Sequence, residues 1–214
     1  TAATLTFFVL AMLLHPEVMR TAQGDLDNVV GDKPPTFQDK ERLPYLFAIV
    51  KEVLRWRPPA PMGLPHAASE DFQYGEYLIP KGAWIIDNLW SQGRDPALYT
   101  DPEAFNPSRF LDSEGNIKPG APDSHDDFLG FGHGRRICPG QNLAINSLFI
   151  TFAYLLWAFE FRKEKDADGN DVILDETDIV DNNLSVFPAP FKVQFVPRFK
   201  DLDAKLDLAA AALM

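Results

Sequence analysis

The chain has 214 residues, 46% of them hydrophobic, and a formal charge of −11 at pH 7. That length supports one domain with a sizeable core, and the acidic balance argues against a nucleic-acid partner, because a phosphate backbone selects Lys and Arg. With a single cysteine there is no internal disulfide, so an oxidising compartment is not implied.

The chain opens on an apolar segment, residues 1–14, that reads as a helix stopping before Pro16. It has no initiator Met, no signal peptide and no cap, so the chain is expected to begin in the middle of a helix, as a truncated chain would. Glu17–Val30 reads as a second helix stopped by Gly31, and Asp32–Lys40 as a polar, proline-containing linker. Pro44 opens a third helix that runs to about Trp56. Leu46, Ile49, Val50, Val53 and Leu54 form its apolar stripe, and Arg57-Pro58-Pro59 ends it. Glu52 and Arg55 lie one turn apart, off that stripe; alone they read as an exposed ion pair worth roughly 0.2–0.5 kcal/mol.

Tyr77–Ile79 and Ala83–Ile86 are predicted to form a hairpin around Pro80-Lys81-Gly82. Asp95–Pro122, rich in proline and aspartate, is predicted as an irregular meander. Leu143–Phe159 is long and apolar, but Asn146, Ser147 and Thr151 interrupt it, which favours a buried core helix over a membrane span. Glu160–Asp181 holds much of the acid and reads as a solvated loop or hairpin. Phe191, Val193 and Phe195 alternate with polar residues before Pro197, a strand signal, and residues 201–214 read as a tail, helical or disordered.

Cys138 sits in Phe131-Gly132-His133-Gly134-Arg135-Arg136-Ile137-Cys138-Pro139-Gly140. A lone cysteine is usually a small buried hydrophobe. Here three glycines surround it, which implies a tight turn and a close approach to something flat. Pro139 suits the first turn of a helix. Free N–H groups at a helix start, with Arg136 two residues before the thiol, favour a thiolate, the form in which sulfur holds a haem iron.

The positions Phe131, Gly134, Arg136, Cys138 and Gly140 match Phe-x-x-Gly-x-Arg-x-Cys-x-Gly without a gap, and the chain resembles the cytochrome P-450 family, the haem-thiolate monooxygenases, of the fungal, microsomal class E kind. Two further motifs carry the resemblance in the same order: Glu52-x-x-Arg55 on the third helix, and Pro107-Ser108-Arg109-Phe110 in the meander. The resemblance implies a mainly α fold with small antiparallel β pieces, the C-terminal part of the family fold truncated at the N-terminus. Residues 1–200 would form that part of one haem-thiolate domain, with 201–214 as a tail. It also implies that Glu52, Arg55 and Arg109 form one buried structural network.

For the site, the resemblance implies haem b held by Cys138 as axial ligand, with Phe131 packed beside the sulfur, Gly140 in the loop, and Arg136 and His66 facing the haem propionates. Ala60–Leu64 and the turn near Val186–Pro190 would line a pocket for an apolar small molecule. Arg135 would face an acidic redox partner or have no role, and His133 is assigned none. The implied reaction is monooxygenation with an NADPH-dependent reductase as electron donor. The parent would sit on the cytoplasmic face of the endoplasmic reticulum membrane, touching it only through a part preceding these residues. The family's distal acid and threonine would fall at or before Thr1, so these 214 residues alone are expected to be inactive. Two other readings stay open: a catalytically dead remnant of the haem site, and a haem-thiolate isomerase or dehydratase that needs no reductase.

Overall fold

A computed structural model describes residues 1–119 and 129–211. The end of the predicted meander, 120–122, and the last tail residues, 212–214, lie outside the described residues. Helix α1 (Ala2–Leu14) is apolar on nearly every side and buries Phe7, Phe8, Leu10, Ala11 and Met12. Pro16 cannot donate the next helical hydrogen bond, and helix α2 (Pro16–Val29) leaves at 104° to α1. The turn after α2 closes through the Gly31 amide, which donates to the Leu26 carbonyl (3.2 Å).

The polar linker holds more order than its composition suggests. Phe37–Arg42 forms a 3₁₀ turn. The Asp39 carboxylate accepts from both the amide and the hydroxyl of Thr36, each at 2.8 Å, a reciprocal cap set by two residues three apart.

Helix α3 (Pro44–Trp56) has the predicted bounds, with Pro44 in its first turn. Its predicted stripe is buried, and so is the opposite face: Lys51, Glu52 and Arg55 are also out of solvent. An amphipathic stripe specifies one buried face; other chain packs on the rest of this helix, so it lies inside the molecule.

Four strands follow, and they correct the predicted hairpin. Strand β1 (His66–Ala67) pairs with β4 (Trp84–Ile85), and β2 (Phe72–Tyr74) pairs with β3 (Tyr77–Ile79), both antiparallel. Tyr77–Ile79 therefore turns back through Gly75-Glu76, with Tyr74 opposite Tyr77, and not through Pro80-Lys81-Gly82. Gly75 supplies the positive φ of +57° that so short a loop requires. The Pro80–Gly82 turn connects the two sheets, closed by the Ala83 amide on the Pro80 carbonyl at 3.0 Å.

A short helix α4 (Leu89–Gln92) leads into the meander, which contains a 3₁₀ turn at Pro107–Phe110. Helix α5 spans Gln141–Ala158, two residues earlier at its start than the apolar run suggests, with Phe159 already extended. Strand β5 (Phe159–Lys163) pairs along its length with β8 (Val193–Pro197). Part of the acidic stretch is therefore a paired strand. The solvated turn within it is built on Asp166, whose carboxylate accepts from the Asp168 and Asn170 amides at 2.9 Å. Strands β6 (Ile179–Asp181) and β7 (Val186–Pro188) form another pair.

The tail is a helix, α6 (Leu202–Ala211), held to the turn after α2 by Lys205, which lies 3.1 Å from the Asp32 carboxylate. The core is helical and aromatic. Phe8 of α1 stacks on Phe152 of α5 with centroids 3.7 Å apart, and buried Gln23 of α2 donates to the Phe159 carbonyl at 3.0 Å. The molecule is thus mainly helical with small two-stranded antiparallel sheets.

Candidate functional site

Glu52 is fully buried and accepts four hydrogen bonds. Arg55 gives two, Nε to Oε2 at 2.6 Å and Nη2 to Oε1 at 2.8 Å. Arg109 Nε gives one at 3.1 Å and the Asn106 amide another at 2.7 Å. The two guanidinium forks then reach past the carboxylate. Arg55 donates to the carbonyls of Gly93 and Pro102, both at 2.7 Å, and of Ala104 at 3.1 Å. Arg109 donates to those of Thr100, Asp101 and Ala104. Two rigid, always-charged forks on one carboxylate hold an otherwise irregular chain in a fixed path. The exposed-pair reading of Glu52 and Arg55 does not hold, because burial removes the solvent that would screen them. Nothing in the sequence pointed to the Asn106 amide, a backbone group whose role depends on where the meander folds.

The Cys loop packs close by. The Cys138 amide donates to the Phe131 carbonyl at 2.8 Å, which closes the loop on itself. Gly132 and Gly134 take φ of +78° and +56°, which side chains disfavour, and His133 between them is extended. Pro139 lies before helix α5 and not in its first turn. The Gln141 amide bonds the Cys138 carbonyl at 3.2 Å, so a separate turn intervenes between thiol and helix. The positive end of α5 still follows the loop by three residues.

A cavity of about 980 Å³ opens over this loop. The side chain of Cys138 is exposed to it, and Phe131, Arg136 and His66 line it as well. The structure thus brings four of the five predicted site residues into one wall. The fifth, Gly140, is not part of that wall; it caps α5, and a Cβ there would meet the Cys138 sulfur at an ordinary 3.7 Å.

Pro59, Ala60, Gly63 and Leu64 form another side, as predicted for the segment Ala60–Leu64. The Trp90 amide fixes this segment through the Pro61 carbonyl, at 2.9 Å. The turn near Val186–Pro190 does not line the cavity. Leu184 and Ser185 do, because the Val186 amide is tied to the Pro59 carbonyl (2.9 Å). Pro188, Ala189 and Pro190 border a separate cavity of about 430 Å³ beside Leu10.

Two residues that sequence reasoning left without a role also face the main cavity: Asp87 and His133, joined at 2.9 Å. Burial pushes the pKa of Arg57 down to about 10, although Glu176 opposes the shift. Its guanidinium lies 4.0 Å from the Trp56 ring centroid.

These features coincide with a known family. The cytochrome P450 family model matches residues 1–193. The chain belongs to the cytochrome P450 family. It is 47% identical over 207 residues to cytochrome P450 monooxygenase 58 of Postia placenta, covering 96% of this chain and 39% of that protein. It is 42% identical to cytochrome P450 monooxygenase claR of Ampulloclitocybe clavipes, covering 92% of this chain and 36% of that one. A zebrafish cytochrome P450 structure with abiraterone superposes with a TM-score of 0.76 at 32% identity, covering 93% of this chain and 45% of that one. The chain spans about two-fifths of the length of the curated relatives it matches.

Membership of this family implies a haem cofactor, and the residues present fit one. The chain's sole thiol opens into a cavity of cofactor size, beside an arginine and a histidine able to meet carboxylates. Among the described residues no single helix is long and apolar enough to cross a membrane.

Proposed function

We propose that this chain supplies the thiolate-ligand side of a haem monooxygenase site, in which one oxygen atom of O2 enters an apolar organic substrate and an NADPH-dependent reductase provides the electrons. The observation that carries this reading is Cys138, the only thiol, exposed in the cavity wall with Arg136 and His66 beside it. Haem b, when bound, supplies the one-electron and O2 chemistry. The chain's own residues bind and orient it. Cys138 would hold the iron as thiolate, Phe131 would pack against the sulfur, and Arg136 and His66 would hold the two propionates.

Apolar side chains make up much of the remaining wall, among them Ala60, Leu64, Ile85 and Leu184. They would exclude water and favour a hydrophobic substrate over a charged one. Glu52, Arg55 and Arg109 touch neither cofactor nor substrate in this reading; they fix the meander that leads to the Cys loop. The full-length enzyme would act at the cytoplasmic face of the endoplasmic reticulum membrane, with Arg135 near the reductase.

The test is spectroscopic. The reduced carbon-monoxide complex of the full-length, haem-loaded protein should show the strongly red-shifted Soret band of thiolate ligation, and Cys138→Ser should abolish it. A band that survives the substitution would end the assignment.

A further inference from the structure

Asp87 follows strand β4, and His133 stands at the corner of the Cys loop, 46 positions away in sequence. Their side chains meet at 2.9 Å, Nε2 of His133 to Oδ2 of Asp87. The other carboxylate oxygen accepts from Gln92 Nε2 of α4. An ionised carboxylate can only accept, so the imidazole nitrogen donates. The carboxylate is the deeper member, 23% exposed against 60% for the imidazole.

The charges around this pair decide its effect. The same cavity wall carries Arg136 and His66, which favour an anionic ligand, and Glu70 and the Cys138 sulfur, which oppose one when ionised. Haem brings two propionates into this wall. A bare Asp87 carboxylate in the same wall would repel them in a partly desolvated setting, where charge interactions are stronger than in water.

On the haem-thiolate reading above, we propose that His133, through its hydrogen bond to Asp87, is a positioning residue for the cofactor. Its N–H screens the carboxylate in the cavity wall and ties the Cys loop to the β4–α4 junction. It acts through Asp87 and the loop, without touching the iron.

The test uses the full-length, haem-loaded protein, with two readouts: the rate of haem transfer to excess apomyoglobin, and the ferric/ferrous potential by spectroelectrochemistry. His133→Ala removes the donor. It should release haem about tenfold faster, the order of effect of losing one charge-assisted hydrogen bond. It should also lower the potential, because an unscreened carboxylate favours ferric iron. Asp87→Asn removes the charge that needs screening and should hold haem at least as well as the wild type. The double variant should return both readouts close to wild-type values.

Unchanged release and potential in His133→Ala would overturn the inference while leaving the haem reading intact. Equal loosening in both single variants and the double variant would also overturn it, since a purely mechanical tie behaves that way. A wild-type protein that never shows the red-shifted thiolate band would overturn the haem reading and this inference with it.

Discussion

Replacing Glu52 by Gln changes one oxygen to an amide nitrogen and removes one charge, yet it should be among the most damaging single changes in the chain. Glu52 is 0% exposed, and its carboxylate is the counter-ion of both Arg55 and Arg109, whose side chains are only 3% and 8% exposed. In Glu52→Gln the side-chain amide would still accept from one donor, but its NH2 would face guanidinium N–H groups, and two buried cations would lose their partner. Breaking a buried ion pair by removing one member costs about 3–5 kcal/mol, out of a typical total stability of about 5–15 kcal/mol. Arg55→Ala should fall in the same range for a different reason. It leaves Glu52 paired with Arg109 but orphans the Gly93 and Pro102 carbonyls and leaves that of Ala104 to Arg109 alone, which loosens the meander. The assay is urea denaturation of the haem-loaded full-length protein followed by far-UV circular dichroism, with haem content measured in parallel. Both variants should yield little folded, loaded protein and shift the midpoint strongly to lower urea. A cost below about 1 kcal/mol for Glu52→Gln, the size of an exposed pair, would refute the reasoning. Normal haem loading with lost turnover in Arg55→Ala would move that residue from structure to catalysis.

Phe152→Ala removes the ring stacked on Phe8 at 3.7 Å in a core with no exposure at either residue; thermal or chemical denaturation should show a loss of about 3–5 kcal/mol. The Asp39 cap should make local stability pH-dependent. Burial alone would raise its carboxyl, but the Thr36 amide, the Arg42 guanidinium and the Thr36 hydroxyl outweigh it and hold the group below the ordinary carboxylate range. A depressed folded value contributes stability above the unfolded value and loses it as pH falls through the folded one. Protection from amide exchange around Phe37–Arg42, taken relative to the intrinsic rate at each pH, should therefore fall on acidification, and Asp39→Asn should flatten that dependence.

The sequence by itself settled what depends on short spacing. Helix α3 was bounded by Pro44 and by Arg57-Pro58-Pro59, because proline acts on its immediate neighbours. The Cys loop was legible because ten consecutive residues carry its glycines, arginine and thiol, and the family resemblance followed from it. The strand ending at Pro197 was legible from alternation alone. What the sequence left open depends on meetings between distant segments. Pairing of β1 with β4 and of β2 with β3 was missed because a Pro-Lys-Gly turn and a Tyr-Gly-Glu-Tyr turn compete for the same strand, and only tertiary packing decides between them. Glu52 and Arg55 look exposed from the stripe on α3; they are buried because the meander closes over that side of the helix. Asp87 and His133 carry no local signal at all. Their pairing exists because the β4–α4 junction and the glycine corner of the Cys loop are brought to one cavity wall, and hydrophobic burial of α1, α3 and α5 is what brings them there.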